Sequence, residues 1–300
     1  MKRLPTMKQL QYLVALAETR HFGRAAARCF VTQSTLSAGI RDLEAALETT
    51  VAERSNRNVR MTRVGMQVTE RAQTLLRAAE EIVDMAKAAA SPMTGDIRLG
   101  VIPTIGPFLL PRVLPALREQ FPALTIYLSE EQTDTLLAQL DDGELDAALI
   151  ALPYATGTLD IEIIQEDEFL FACYRKHALC ARAEVPRAAL AREKLLLLKE
   201  GHCLRGHALD ECGSGDRRVR SQFEASSLHT LVQLVATGIG VTLIPRLAVD
   251  AGIVDNTGIS LARLAPPAAR QIGLAWRHSS LRASDFRTLA RALRSLTTGE

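Results

Sequence analysis

The segment 195–212 carries residue types that could perform thiol chemistry. It starts with a run of four leucines, which predicts a buried strand, and the residues 199–201 predict its exit turn. Three residues around Cys203, just past this turn, can carry positive charge: His202, Arg205 and His207. Positive charge beside a thiol favours the thiolate, which is the form that attacks a peroxide or a disulfide. Cys203 is therefore a candidate reactive cysteine.

A second cysteine, Cys212, lies nine positions after Cys203. If residues 204–211 are helical, the two Cα atoms lie roughly 13 Å apart, whereas a disulfide needs about 4.4 to 6.8 Å. The bond could then form only by unwinding the helix, and oxidation would become a conformational signal. The alternative interpretation is that both cysteines are small apolar residues of a core, and the spacing alone leaves both interpretations open.

Composition limits the class of protein. The chain has 300 residues, of which 47% are hydrophobic, and this is enough for two or three compact units. A formal net charge of +2 is too small to predict a nucleic-acid partner, so any such signal has to be local. The sequence shows no signal peptide and no long apolar run, which predicts a cytoplasmic protein with no membrane partner and with reduced thiols at rest.

The remaining cysteines and the histidines do not suggest a metal centre. The five cysteines lack Cys-x-x-Cys spacing and the six histidines are scattered, so we expect no metal site and no cofactor. Cys29, Cys173 and Cys180 have no surroundings comparable to those of Cys203. We interpret these three as structural cysteines.

The amino-terminal part predicts a helix-turn-helix. Apolar residues recur at helical spacing over Met7–Thr19, a short helix is expected over 24–29, and a third over 31–47 begins with hydroxyl residues suited to capping. The third helix offers groups that hydrogen-bond base edges and phosphates in a major groove: Thr32, Gln33, Ser34, Thr35, Ser37 and Arg41. A plain three-helix packing domain is the alternative.

A basic, turn-rich segment at 53–63 is typical of a wing hairpin. It favours DNA binding over a plain three-helix packing domain. Its arginines would contact backbone phosphates: Arg54, Arg57 and Arg60. We therefore expect a DNA-binding domain over 1–62. An alanine-rich linker helix over 63–90 has an apolar stripe that nothing local covers, which predicts dimerisation and two-fold DNA half-sites.

Strand and helix patterns alternate after residue 91, which predicts an α/β fold around a parallel sheet. Ligands bind such sheets at the carboxyl ends of strands, beside helix amino termini, and Thr104 and Thr133 fall at such positions. Each threonine could instead be a simple helix cap, but two on adjacent strand ends favour a shared site. We expect a regulatory domain over 91–300, with lobe I at about 91–168 and 268–300 and lobe II at about 169–267.

Several motifs resemble those of LysR-type transcriptional regulators. In the amino-terminal part they are HFGRAA at 21–26, TQSTLS at 32–37, IRDLE at 40–44 and ER at 53–54. In the rest of the chain, GVIPTIGP at 100–107, LLAQL at 136–140 and GHC at 201–203 resemble the peroxide-sensing members of that family. The sequence departs from the family pattern at three positions, where Ser34 replaces proline, Ala52 a bulky apolar residue and Gly206 an aspartate.

The resemblance implies a fold and a function. The fold would be a winged helix-turn-helix, a long linker helix and a two-lobed α/β regulatory domain like a periplasmic binding protein. Cys203 would be the peroxidatic and Cys212 the resolving cysteine, and the peroxide pocket would be lined by Thr104, Thr133, His202 and Arg270. The chain would activate antioxidant genes rather than act as an enzyme.

The same resemblance implies the partners: hydrogen peroxide, double-stranded promoter DNA, RNA polymerase and other copies of the chain in a homodimer or homotetramer. Two other functions stay open at this point. The cleft could take a small organic effector in a regulator of the same family. The chain could also be a thiol peroxidase, although a peroxidase would have no need of a winged helix-turn-helix.

Overall fold

The structure is a computed structural model that describes residues 4–54, 59–90, 92–211 and 224–298. The chain divides into two compact units, Met1–Ala86 and Lys87–Glu300. Among the described residues, no helix combines the length and the apolar character needed to cross a bilayer.

The first unit contains three short helices, a hairpin and most of a long helix. Their bounds are α1 Met7–Thr19, α2 Phe22–Arg28, α3 Gln33–Leu47, β1 Ala52–Arg54, β2 Val59–Met61 and α4 Arg63–Ala90. The predicted helix-turn-helix and wing are thus confirmed. The second helix begins earlier than predicted because the ring of His21 caps it, accepting hydrogen bonds from the N–H groups of Gly23 and Arg24.

A small apolar core holds the three helices together. Leu13, Leu16, Leu36, Ile40 and Leu43 are all at most 1% exposed. These residues recur every three or four positions along α1 and α3, so each helix buries one face and leaves the other to solvent.

The second unit alternates strands and helices, as the sequence predicts. Its elements are β3 Gly95–Val101, α5 Gly106–Gln120, β4 Leu124–Glu130, α6 Thr133–Asp141, β5 Ala147–Leu152, β6 Leu159–Tyr174, β7 Glu184–Pro186, α7 Arg187–Leu190, β8 Leu197–Leu198, α8 Cys203–Glu211, β9 Glu224–Ala225, α9 Leu228–Ala236, β10 Thr242–Pro245, α10 Arg246–Asp250, β11 Ile259–Ala265, β12 Ala269–Arg277 and α11 Ala283–Thr298. A 3-10 helix, Ala178–Ala181, follows β6.

The strands run in the order β4-β3-β5-β12-β6-β11-β7, with β10 also paired to β6. β3 is parallel to β4 and β5, as predicted, but β12 is antiparallel to both of its neighbours. The prediction of a parallel sheet is therefore wrong at β12. The long strand β6 pairs with β12 through its first part and with β10 and β11 through its second, so it joins two groups of strands. We call these groups lobe I and lobe II; their residue bounds stay a prediction.

Cys173 and Cys180 differ from the sequence prediction. We expected separate, reduced thiols, whereas the structure joins them in a disulfide with a Cα–Cα distance of 6.6 Å. The 3-10 helix after β6 turns Cys180 back onto the end of that strand, where both sulfurs also lie 3.7 Å from the carbonyl oxygen of Ser260. Cys29 and Cys203 are free thiols.

Candidate functional site

Cys203 is the first residue of α8, and a glycine turn places it there. Gly201 has a φ of +94°, which favours glycine, and a Cβ built on it would lie 2.1 Å from Oε1 of Gln132. The turn can therefore lie directly against Gln132, the residue that precedes α6. This close approach brings the amino termini of α8 and α6 together, with the Cys203 side chain only 7% exposed.

The electrostatic surroundings of Cys203 differ from the prediction. Burial raises the pKa of its thiol above the ordinary value, and this effect outweighs the lowering by the Arg270 guanidinium, by the Thr133 hydroxyl and by N–H groups at the start of α8. The cation near the sulfur is thus Arg270, which lies far away in the sequence. Burial also lowers the pKa of His202, so this imidazole is neutral at pH 7.

Arg205 and His207 serve the local structure of α8. The Arg205 guanidinium donates to the carbonyl oxygen of Leu198 at 3.1 Å and pairs with Glu224 at 3.3 Å. The Nε2 atom of His207 lies 3.1 Å from the carbonyl oxygen of Pro153, just after β5. The two side chains therefore anchor α8 to β8 and to the residue that follows β5.

Arg270 belongs to a fully buried network that crosses the sheet. It faces Asp167 in the register of β12 and β6, and its Nε donates to Oδ2 of Asp167 at 3.0 Å, with both side chains 0% exposed. Its other nitrogens donate to the hydroxyl and carbonyl oxygens of Thr104 at 2.9 and 3.0 Å. The remaining Asp167 oxygen accepts from the N–H of Leu247 at 2.9 Å. This network fixes the guanidinium whose charge acts on the Cys203 thiol.

Neither Thr104 nor Thr133 is the N-cap of a helix. Ile105 holds that position in α5 and Gln132 in α6, and neither side chain makes a capping hydrogen bond. Apart from its contact with the Cys203 sulfur, the buried Thr133 hydroxyl has no hydrogen-bond partner in the described part of the chain. Buried hydroxyls are nearly always paired, so this one is available to a small polar ligand at the sulfur.

A cavity of about 410 Å³ opens beside Cys203 and is also lined by His202. Its walls include two residues that the sequence analysis missed, Tyr154 and Asp134, whose side chains share a 2.5 Å hydrogen bond from the phenol to the carboxylate. Burial, the bond to Asp134 and the charges of Asp134 and Cys203 raise the pKa of Tyr154 to about 12. Tyr154 therefore stays a neutral hydrogen-bond donor at physiological pH.

The raised thiol pKa predicts how Cys203 oxidation depends on pH. Only the thiolate reacts, and below the pKa its fraction grows about tenfold per pH unit, so the second-order rate should rise roughly a hundredfold from about pH 6 to about pH 8. The measurement is the rate of loss of the free Cys203 thiol in excess peroxide at each pH. A rate that stops rising below pH 7 would show a thiol that is already ionised and would contradict the raised pKa.

Most of the predicted DNA-contacting residues that the structure describes are exposed. Thr32, Gln33, Ser34, Thr35 and Arg41 are exposed and Ser37 is half-buried. Thr32 also caps α3: its hydroxyl accepts from the N–H of Thr35 at 3.2 Å and lies within 2.9 Å of the Ser34 and Thr35 hydroxyls. Arg60 is exposed on β2. Arg57 and Cys212 lie outside the described residues, and Arg54 is placed only as the last residue of β1.

Comparisons with known proteins support this reading of both units. Residues 7–66 match the family described as bacterial regulatory helix-turn-helix protein, lysR family, and residues 90–297 match the LysR substrate binding domain. The chain is 43% identical over 294 residues to the DNA-binding transcriptional dual regulator OxyR of Escherichia coli (strain K12), which covers 98% of this chain and 96% of that protein. It is 38% identical over 300 residues to the HTH-type transcriptional regulator EstR of Acinetobacter baylyi, with 99% of each chain covered.

Solved structures with a similar fold come from the same family. A full-length OxyR variant from Pseudomonas aeruginosa superposes with a TM-score of 0.77 at 35% identity, covering 97% of this chain and 95% of that one. A hydrogen-peroxide-bound mutant of Corynebacterium glutamicum OxyR gives 0.69 at 34% identity, covering 100% and 94%. The resemblance noted in the sequence is thus confirmed along nearly the whole chain. From its amino-terminal helix-turn-helix through its α/β domain, this chain belongs to the LysR family of bacterial regulators.

Proposed function

We propose that this chain is a peroxide-sensing, DNA-binding transcriptional regulator that activates genes in response to Cys203 oxidation. The observation that carries the proposal is the juxtaposition of a buried free thiol, an available buried hydroxyl on Thr133 and a buried guanidinium on Arg270. Hydrogen peroxide is small and uncharged and both donates and accepts hydrogen bonds, so it fits this setting. The similarity to OxyR proteins supports the same conclusion.

Oxidation of Cys203 by hydrogen peroxide needs no group beyond the two cysteines. The Cys203 thiolate attacks one peroxide oxygen, the O–O bond breaks as the S–O bond forms, and the departing hydroxide takes a proton and leaves as water. Sulfur loses two electrons and becomes a sulfenic acid. The thiol of Cys212 then displaces the sulfenic oxygen as a second water, which leaves a Cys203–Cys212 disulfide.

The disulfide would act by remodelling α8. Cys203 and the end of α8 at Glu211 lie on one continuous helix, so bringing Cys212 to Cys203 requires that helix to unwind. Unwinding would release the hydrogen bonds of Arg205 to Leu198 and of His207 to Pro153. Because these bonds hold α8 against β8 and the end of β5, their loss would allow these elements to repack.

The output would be a change in how copies of the chain bind DNA. Leu75, Ile82 and Val83 of α4 are more than half exposed, as a helix that pairs with a second copy would need. We propose a homodimer or homotetramer that binds double-stranded promoter DNA through α3 and the hairpin β1–β2 and contacts RNA polymerase at activated promoters.

Arg60 provides a test of the DNA-binding surface. Its replacement by glutamine should weaken binding to all DNA sequences alike and reduce the salt dependence of log K by about 1, because one phosphate contact is lost. The measurement is a salt titration of DNA affinity by fluorescence anisotropy. Arg112→Gln, which removes the same charge from an exposed site on α5, is the control, and an unchanged slope for Arg60→Gln would exclude a phosphate contact.

The proposed function is tested with less than one equivalent of hydrogen peroxide added to the reduced full-length chain. Mass spectrometry should find the added oxidation on Cys203 and then the Cys203–Cys212 disulfide, and the footprint on promoter DNA should change in parallel. Oxidation elsewhere with Cys203 intact would reject the proposal. Continuous consumption of many equivalents in the presence of a thiol reductant, with no footprint change, would instead indicate a peroxidase.

A further inference from the structure

The cavity beside Cys203 is larger than hydrogen peroxide needs. Its volume is about 410 Å³. One water molecule takes about 30 Å³ of liquid, and a peroxide has only two oxygen atoms. The cavity lies instead within the range of roughly 300 to 1,000 Å³ that is usual for small organic ligands. There is therefore room for an organic substituent next to the reactive sulfur.

Gly206 accounts for part of this space. It lines the cavity from α8, three positions after Cys203, and its surface is exposed. A Cβ built on Gly206 meets no atom of the described residues within 4 Å, so those residues leave room for a side chain there. The backbone there needs no glycine, since its φ lies outside the left-handed region. The missing side chain leaves the entrance wide without any requirement of the local fold.

The opposite wall suits an uncharged organic group. The ring of Tyr154 is half-buried and held by its hydrogen bond to Asp134, and Pro153 precedes it. The carboxylates of Asp134 and Glu200 also line the cavity and would repel a carboxylate-bearing ligand. The guanidinium of Arg205 is already engaged by Leu198 and Glu224. The lining thus disfavours an anionic substituent and leaves the Tyr154 ring and Pro153 as its apolar surface.

We infer that this pocket also accepts uncharged organic hydroperoxides, with an alkyl or aryl substituent in the space beside Gly206 and against the ring of Tyr154. The inference rests on the proposed function. The Cys203 sulfur attacks the terminal oxygen of ROOH, the O–O bond breaks, and the RO⁻ group takes a proton and leaves as ROH. Sulfur is oxidised by two electrons to the same sulfenic acid, so Cys212 resolves it as before.

The test compares cumene hydroperoxide with hydrogen peroxide on the reduced full-length chain. The rate of Cys203 oxidation is followed by rapid alkylation of the remaining thiol and mass spectrometry. We expect a second-order rate with cumene hydroperoxide within tenfold of that with hydrogen peroxide. A slower reaction would overturn the inference while leaving the proposed function intact. If hydrogen peroxide itself failed to oxidise Cys203, the proposed function would be the one to fail.

Two variants of Gly206 test where the organic substituent of the hydroperoxide binds. Gly206→Leu should slow the reaction with cumene hydroperoxide about tenfold or more, because a branched side chain takes the space of the aryl group. The same variant should change the rate with hydrogen peroxide by less than threefold, and the smaller Gly206→Ala serves as the matched control with a weaker effect. Equal slowing of both peroxides by Gly206→Leu would show that the substituent does not lie beside this residue.

Discussion

Replacing Cys203 with serine is expected to abolish the response to peroxide. The serine hydroxyl has nearly the size of the thiol and fits the buried position, but it does not attack peroxide oxygen. The variant should therefore keep its stability and its DNA affinity while the peroxide-dependent change in footprint disappears. The measurements are promoter footprinting with and without hydrogen peroxide and intact-mass analysis of the same samples.

Two further serine variants separate the steps. Cys212→Ser should still form a sulfenic acid at Cys203, detectable by a trapping reagent, but no intramolecular disulfide and no lasting footprint change. Cys29→Ser replaces the other free thiol, a half-buried residue of the first unit, and should leave the response unchanged. If the footprint of Cys203→Ser still changed with peroxide, another residue would be the sensor and Cys203 would not be the peroxide-reactive cysteine.

Local patterns in the sequence predicted the elements around the site well. The four leucines are buried and the turn ending at Gly201 occurs as predicted, but only Leu197–Leu198 form a strand. The helix that the sequence analysis took as a condition is Cys203–Glu211. Helix periodicity, glycine turns and hydroxyl caps are short-range signals, because each depends on neighbours within a few residues. The sequence could therefore place Cys203 just past a buried segment and its exit turn before any tertiary contact was known.

The charged neighbour of Cys203 could not be predicted in the same way. Arg205 is near in sequence, but residues two apart on a helix do not face each other, and its side chain points to Leu198. Arg270 is placed near the sulfur because β12 pairs with β6 in a register that sets it opposite Asp167. Such a register joins residues far apart in the chain, and no local pattern records it. Only the family resemblance pointed to Arg270.

The acidic partner of Arg270 and the Tyr154–Asp134 pair were missed for a related reason. Asp167 lies between Glu166 and Glu168 in β6 and looks like part of an exposed acidic run, although it is 1% exposed. Tyr154 follows β5 and Asp134 lies in the first turn of α6, so they meet only because β5 ends where α6 begins. The topology that the sequence predicted places these ends together, but it does not say which side chains will touch.

Arg270 is expected to dominate the stability of the second unit. Replacing it with methionine keeps most of the volume but leaves the buried Asp167 carboxylate without its counter-charge, which should cost about 3 to 5 kcal/mol in the free energy of unfolding. Urea unfolding followed by the fluorescence of Trp276, the single tryptophan and a residue of β12, measures this in the unit concerned. A loss below about 1 kcal/mol would mean that the pair is not essential to the fold.

The double variant Asp167→Leu with Arg270→Met separates the two roles of the guanidinium. Removing both charges should restore much of the lost stability, because an apolar pair replaces a buried ion pair at little cost. It should not restore the chemistry: without Arg270 the pKa of the Cys203 thiol loses its main lowering influence and rises further, so oxidation at neutral pH should stay slow. A stable double variant with an undiminished oxidation rate would show that Arg270 holds the fold together but does not activate the sulfur.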